Sequence, residues 1–149
     1  MGTRSSIAIK NADGTIESIY ARWDGYLEGN GVILLENYTT EEKVRQLLAL
    51  GNVSSLDNDI GEKHDFNQSV KGWTKFYSRD RGEAEQEAIR SSNEEAWIRA
   101  GGQEYNYLFL STEKRWVVEF GDLEGEFIDL AKAIGQEAKK RSTIDFLRP

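Results

Sequence analysis

Two pairs of short segments alternate apolar with polar residues or are rich in β-branched residues, which is typical of half-buried β-strands. Residues 6–9 and 15–20 form the first pair, and Asp13 and Gly14 between them are a strong signal for a hairpin turn. The second pair is "EYNYLFLS" and "RWVVEFG", which "TEK" joins. Residues 73–78 predict a further strand because aromatic and β-branched residues dominate them. The pattern therefore predicts two hairpins and about five strands.

Apolar residues at helical spacing predict two helices in the first half of the chain. The run "VILLENY", from Val32, predicts a short helix. Thr39 and Glu42 have the spacing of a capping box, in which the threonine hydroxyl accepts a hydrogen bond from an amide of the first turn. Apolar residues at helical spacing follow, and Gly51 supplies a stop. The next twenty residues are polar with scattered apolar side chains and predict an ordered loop.

Two more helices are predicted in the second half. Ser92 and Glu95 form another capping box, which opens the helical stretch "NEEAWIRA". The last helix is predicted from one apolar stripe, with acids mostly early and bases late, as the helix dipole favours. The stripe consists of Leu123, Phe127, Leu130 and Ile134.

The order of these elements predicts the fold class. Two strands, two helices, a strand, a helix, two strands and a helix follow one another, without repeated βαβ units. This order indicates a single α+β domain over residues 1–149, with a mostly antiparallel sheet of about five strands and helices packed on one face. The exposed edges of such a sheet are compatible with a homodimer, although no residue demands one.

Charge and composition limit the classes of partner that are expected. The chain has 149 residues and a net charge of −7, from 26 acids and 19 bases. This balance repels a phosphate backbone, so direct nucleic-acid binding is not expected. It is compatible with docking on a basic partner protein, although the favoured interpretation is that the charge serves solubility alone. Because no apolar run reaches the length of a membrane helix and no signal peptide is evident, we expect no membrane partner and a cytoplasmic location.

The sequence lacks the residues or motifs that several kinds of catalytic, metal and nucleotide site require. The absence of cysteine excludes disulfides, thiolate nucleophiles and cysteine-ligated metals. The single histidine, His64, lies in the polar stretch "KHDF" and is interpreted as a surface residue that Asp65 orients. "DGYLEGNG" matches neither a Walker A loop nor a dinucleotide fingerprint, and "DNDIGEKHD" does not have calcium-loop spacing. We therefore expect no cofactor, no metal and no catalytic residue.

One candidate ligand site is the aromatic cluster after the first hairpin. It consists of Tyr20, Arg22, Trp23, Asp24 and Tyr26. The aromatic side chains cannot all face one way on a strand, so at least one is available for recognition at the surface. The favoured interpretation is that the aromatics close the core and that Asp24 serves the turn with Gly25. Arg22, beside Trp23, is available for cation–π or ion-pair contacts.

A second candidate site is the charged segment "YSRDRGEAEQE". Arg79 and Arg81 flank Asp80 at a predicted strand end, where alternation places both guanidinium groups on one face. Two such groups grip a phosphate or carboxylate well. The favoured alternative is an ion-paired strand end, in which Asp80, Glu83 and Glu85 neutralise the arginines.

The chain resembles a family of short proteins of bacteriophages and prophages, most of them hypothetical. The resemblance lies in residues 3–56, with the motif "WDGY", and in "FYSRDRGE" and "EYNYLFL". It implies a phage origin and no established reaction or ligand. Members of the family often have Cys-His where this chain has Ala21 and Arg22, so a metal or redox site at that pair is not shared here.

Three functional hypotheses follow. The first is a non-catalytic accessory protein that binds a host protein, such as a defence nuclease, through the acidic stretches "EAEQE" and "GDLEGEFID", and inhibits or redirects it. The second is a nucleotide-binding protein that stacks a base on Trp23 or Tyr26 and holds phosphate with Arg79 and Arg81. The third is a metal-dependent phosphodiesterase that uses carboxylates such as Asp24, Asp80 and Glu83.

Overall fold

The computed structural model describes the backbone of residues 2–147 and the side chains of residues 2–141. This part of the chain forms one mixed sheet of eight strands with five α-helices. The strands are β1 (Ser5–Lys10), β2 (Ile16–Ala21), β3 (Val53–Ser55), β4 (Lys75–Phe76), β5 (Ile89–Ser91), β6 (Tyr105–Leu110), β7 (Arg115–Phe120) and β8 (Ile128–Asp129). The helices are α1 (Val32–Asn37), α2 (Glu41–Ala49), α3 (Tyr77–Arg81), α4 (Glu94–Gly101) and α5 (Leu130–Leu147).

Both predicted hairpins are confirmed, and they lie side by side. The pairs β1–β2 and β6–β7 are antiparallel over their full lengths. Between the hairpins, β1 pairs with β6 in parallel, from Ser5 opposite Tyr105 to Lys10 opposite Leu110. The sheet order is β4-β3-β2-β1-β6-β7-β8, and β5 pairs with the first half of β2. Most pairings are antiparallel, in agreement with the predicted α+β class.

The sheet is larger than the five strands predicted from the sequence. The additional strands β3, β5 and β8 have only two or three residues each. So short a strand shows too few alternations to be recognised by pattern. The β3 strand lies in the segment predicted as a loop, where Val53 pairs with Ala21 of β2.

Helices cover both faces of the sheet, so the prediction that they cover one face is wrong. On the first face, α1, α2 and α5 bury their apolar side chains against residues such as Ile7 and Ile9. On the second face, α4 packs Trp97 against Ala8 and Leu108. The central strands β1 and β6 are therefore apolar on both faces, a pattern that is typical of strands with helices on either side.

Helices α2 and α4 each begin one residue later than predicted. Thr40, not Thr39, caps α2, and its Oγ1 accepts a hydrogen bond from the amide of Lys43 at 3.2 Å. Asn93, not Ser92, caps α4 through its Oδ1. In both sequences two capping residues are adjacent, so spacing alone does not distinguish them.

The last helix is shorter at its start than predicted. Leu123 ends a single 3₁₀ turn (Gly121–Leu123), and Phe127 precedes β8, so neither side chain belongs to α5. The backbone leaves helical geometry at Glu124 and Gly125, whose φ angles of 50° and 91° are left-handed. The apolar stripe that predicts a single helix therefore includes residues that lie outside α5. Among the described helices, including α5, none is both long and apolar enough to cross a membrane.

Candidate functional site

The predicted aromatic cluster forms an exposed loop beyond β2. Trp23 and Tyr26 are 39% and 40% exposed, so the prediction that they close the core is wrong for both. Tyr20 is half-buried on β2. The Arg22 guanidinium lies 5.0 Å from the centre of the Trp23 ring, which is the predicted cation–π contact. Two aromatic side chains are therefore available at this surface.

The "WDGY" loop is fixed from beneath by buried polar groups. Asp24 has a left-handed backbone (φ 58°), and its carbonyl accepts a hydrogen bond from the amide of Asn30 at 2.7 Å. The Asn30 side chain is buried and donates to Ser5 Oγ and to the Trp23 carbonyl, both at 3.1 Å. The Tyr107 hydroxyl donates to the Gly25 carbonyl. The backbone carbonyls of Trp23, Asp24 and Gly25 thus fix the conformation of the loop.

The two predicted arginines do not share a face, because residues 77–81 form the helix α3 and not a strand end. Arg79 is directed inward, with 12% of its side chain exposed. All five of its N–H groups are used: they donate to the Asp80 carboxylate and to the carbonyls of Ile60, Gly61 and Thr74. The predicted two-arginine grip on a phosphate is therefore wrong, since Arg79 has no donor left for a ligand.

Arg81 is exposed and has local partners only. Its guanidinium pairs with Glu83 and lies 4.3 Å above the ring of Phe66. Pairing with Glu83 agrees with the ion-paired alternative of the sequence analysis. Exposed pairs of this kind contribute little to stability.

Asp80 and His64 are buried together beside Arg79. The Asp80 carboxylate accepts hydrogen bonds from the amides of Phe76 at 2.8 Å and His64 at 3.1 Å. The His64 ring is buried against Trp73, and its Nδ1 lies 2.8 Å from the Glu62 carbonyl and 3.5 Å from Asp80 Oδ1. The prediction of a surface histidine oriented by Asp65 is wrong. The cluster instead fastens residues 60–64 to α3.

The Asp80 carboxylate makes the free energy of unfolding depend on pH under acidic conditions. Burial works to raise the pKa of Asp80, but the hydrogen bonds from Arg79 and from the two amides outweigh it and lower the pKa below its usual value. The carboxylate therefore contributes fully above the unfolded pKa of about 3.9, and the contribution is lost as the pH falls through the lower folded pKa.

We therefore expect Asp80→Asn to lose less stability than the wild type when the pH falls from about 4 to 2, because the titrating group is gone. Urea unfolding at fixed ionic strength measures the dependence. The exposed Asp65→Asn variant should retain the wild-type dependence. The same acid dependence in Asp80→Asn and in the wild type would contradict this account.

The aromatic loop and α3 do not meet. Trp23 donates its amide to the Ser54 carbonyl, whereas Tyr77, at the start of α3, donates to the Asn52 carbonyl. The two segments therefore lie on either side of β3, where the amides of Tyr20 and Tyr77 both donate to Asn52. Among the described side chains no hydrogen bond, ion pair or ring contact joins residues 20–26 to residues 77–83. Within that part of the chain, no three acidic or histidine side chains converge to hold a metal ion either.

An acidic groove, which the sequence analysis did not identify, lies on the second face of the sheet. It has a volume of about 660 Å³ and runs between α4 and the turn that follows β7. Its lining residues are Glu94, Glu95, Ile98, Arg99, Glu119, Glu124, Gly125 and Phe127. Four carboxylates therefore face one concave surface, against a single cationic side chain.

The groove also has an apolar side. Phe127 stacks on the buried Trp97, with ring centres 5.8 Å apart, and Ile98 contributes from the next position of α4. At the rim, Glu94 pairs with Lys10 at 2.8 Å and Glu95 pairs with Arg99 at 2.6 Å. The groove thus combines an apolar side with a rim of ion-paired glutamates.

Comparisons of the chain with protein-family models, with curated proteins and with solved structures gave no match.

Glu119 is the buried carboxylate of the groove. The residue is 8% exposed. Its Oε1 accepts a hydrogen bond from Asn106 Nδ2 and its Oε2 accepts one from the amide of Gly125, both at 2.8 Å. Contacts of Asn106 with the amide and carbonyl of Gln103 fix which end of its side-chain amide faces Glu119. Both oxygens of Glu119 therefore accept a hydrogen bond from within the protein.

Part of this groove could be predicted from the sequence. The stretch "GDLEGEFID" was singled out as acidic, and it supplies Glu124 and Phe127. Glu119 was missed because it alternates with Val118 on a strand, where a glutamate is expected to face solvent. The covering helix α4 was placed on the other face, so the burial of this position was not foreseen.

Proposed function

We propose that the protein is a non-catalytic phage or prophage accessory protein that binds a basic host protein through the acidic groove, and thereby inhibits or redirects it. The supporting observation is the groove itself, whose lining combines four glutamates with the apolar side chains of Ile98 and Phe127. Apolar centres with polar rims are the usual anatomy of protein interfaces. The phage origin rests on the resemblance of the sequence described above.

Charge supports a basic partner. The chain has a net charge of −7, so its field accelerates encounter with a positive surface and slows encounter with nucleic acid. Enzymes that act on nucleic acids have basic grooves, and an acidic protein competes with the phosphate backbone for them. The proposal therefore names a nucleic-acid-binding host enzyme, such as a defence nuclease, as the partner class.

The alternatives have less support. The nucleotide hypothesis keeps its exposed rings, Trp23 and Tyr26, but loses Arg79, whose donors are all used within the protein. The phosphodiesterase hypothesis required Asp24, Asp80 and Glu83 to surround a metal ion. Asp80 is instead committed to Arg79 and two backbone amides.

The test is recovery of a host protein by charge-reversed variants. Tagged protein is used to recover partners from a lysate of the bacterial host, which are identified by mass spectrometry. Glu124→Lys should reduce recovery of the specific partner roughly tenfold, because it replaces attraction with repulsion at the groove. Raising the salt concentration should reduce recovery by the wild type as well.

The matched control is Glu42→Lys, an exposed residue on α2 with the same change of charge. It alters the net charge equally but lies outside the groove lining, so recovery should stay near that of the wild type. Equal losses for both variants would show that net charge alone matters. Unchanged recovery with Glu124→Lys would place the interface elsewhere.

A further inference from the structure

The Glu119 carboxylate is buried without a compensating positive charge. Among the described side chains, no lysine, arginine or histidine forms an ion pair with it. Two hydrogen bonds satisfy one acceptor site on each oxygen, but a carboxylate offers about four such sites. Buried charges in proteins are normally paired, because removing an ion from water is costly. Glu119 therefore has unused capacity for a cation.

The groove leaves two of its glutamates without a cationic partner. Glu94 and Glu95 pair with Lys10 and Arg99, whereas no ion pair involves Glu119 or Glu124 among the described side chains. Glu119 lines the same cavity as Ile98 and Phe127. A ligand that entered would therefore contact both apolar surface and a carboxylate.

We propose that the groove receives an arginine side chain of the partner protein, whose guanidinium binds the Glu119 carboxylate. This inference rests on the proposed function, since it names the group that the acidic groove recognises. The guanidinium supplies the missing counter-charge, and its stem replaces water over the apolar lining.

Arginine fits the groove better than lysine for two reasons. Its planar fork places two parallel N–H donors against two carboxylate oxygens, and each oxygen of Glu119 has an acceptor site left. Its guanidinium also stacks on aromatic faces, and Phe127 presents a ring whose orientation Trp97 fixes. The three-carbon stem covers apolar surface in the manner of long charged side chains.

The first test uses peptides with the wild-type protein and requires no mutation. The peptide acetyl-Gly-Gly-Arg-Gly-Gly-amide is titrated into ¹⁵N-labelled protein, and the amide of Gly125 is the reporter because it donates to Glu119. The peptide should shift the Gly125 amide and the side-chain amide of Asn106 with saturation. The citrulline peptide, which has the same shape without the charge, should bind at least about tenfold more weakly.

The peptide with lysine in place of arginine is titrated in the same way, and three results would overturn the inference. Equal shifts with the citrulline peptide would show that charge recognition is absent. Equal affinity for the lysine peptide would show that the guanidinium fork is not recognised. Absence of any shift at Gly125 with the arginine peptide would remove the site altogether.

Variants give a second test. Glu119→Gln should lower the affinity for the arginine peptide at least about tenfold. Glu42→Gln, which lies outside the groove, should leave that affinity unchanged. The melting temperature of each variant is measured alongside, because a glutamine at 119 places an N–H near an existing donor. If Glu119→Gln does not fold, the comparison of arginine with citrulline peptides in the wild type still decides the question.

The inference and the proposed function fail in different ways. If Glu119→Gln recovers the host partner as well as the wild type while Glu124→Lys does not, the function stands and the arginine site is overturned. If the arginine peptide binds at Glu119 but no host protein depends on the groove, the site stands and the proposed function fails.

Discussion

Replacing Arg79 with alanine should lower the free energy of unfolding by about 3–5 kcal/mol, the range for breaking a buried ion pair. The substitution leaves the Asp80 carboxylate, whose side chain is fully buried, without its cation. It also removes the donors to the carbonyls of Ile60, Gly61 and Thr74. These carbonyls come from two sides of one loop, so we expect the loop between β3 and β4 to lose its attachment as well.

Arg81→Ala is the matched control, because it removes the same side chain two residues away. Its exposed pair with Glu83 should be worth at most about 1 kcal/mol. Urea unfolding followed by tryptophan fluorescence measures both variants, and hydrogen exchange of residues 57–73 reports the loop. Similar destabilisation by the two substitutions would contradict the structural role of Arg79.

Replacing Trp97 with alanine should lower the free energy of unfolding by about 3–5 kcal/mol, as for other fully buried aromatic residues. The indole fills the second core between α4 and the sheet, where it contacts Ala8 and Leu108. Its Nε1 donates to the buried Ser6 Oγ at 2.8 Å, so the substitution also leaves that hydroxyl without its donor. Phe127 loses the ring on which it stacks.

Trp23→Ala is the comparison for this prediction. Trp23 is exposed and belongs to neither core cluster, so its removal should change the free energy of unfolding by less than about 1 kcal/mol. Thermal and urea unfolding measure both variants. If Trp97→Ala were no worse than Trp23→Ala, α4 would not be packed on the sheet, and the groove between them would lose its support.

The hairpins could be predicted because their signals are local. Alternation over six residues and the turn residues Asp13 and Gly14 require nothing from the rest of the chain. The placement of α4 could not be predicted in the same way. Its single large apolar residue, Trp97, fits either face of a sheet whose central strands are apolar on both sides.

The same difference between local and distant determinants applies to the candidate site. The exposure of Trp23 was foreseen as one of two alternatives, because a strand cannot bury every ring in that run. The inward direction of Arg79 was not, since it depends on carbonyls nineteen and eighteen residues earlier in the chain. Glu119 is a similar case, because its burial depends on a helix and a turn that are distant from its own strand.

The parallel pairing of β1 with β6 has a consequence for how the chain is assembled. Ser5 lies opposite Tyr105, so the centre of the sheet closes only after some hundred residues of chain have been synthesised. Until then, the first hairpin exposes an apolar strand edge, which is a template for wrong partners. Closing so long a loop carries an entropic cost before any contact compensates it, and such topologies fold slowly. The β1–β2 hairpin must therefore stay unpaired at this edge until the β6–β7 hairpin has been synthesised, and chaperones have time to act on it.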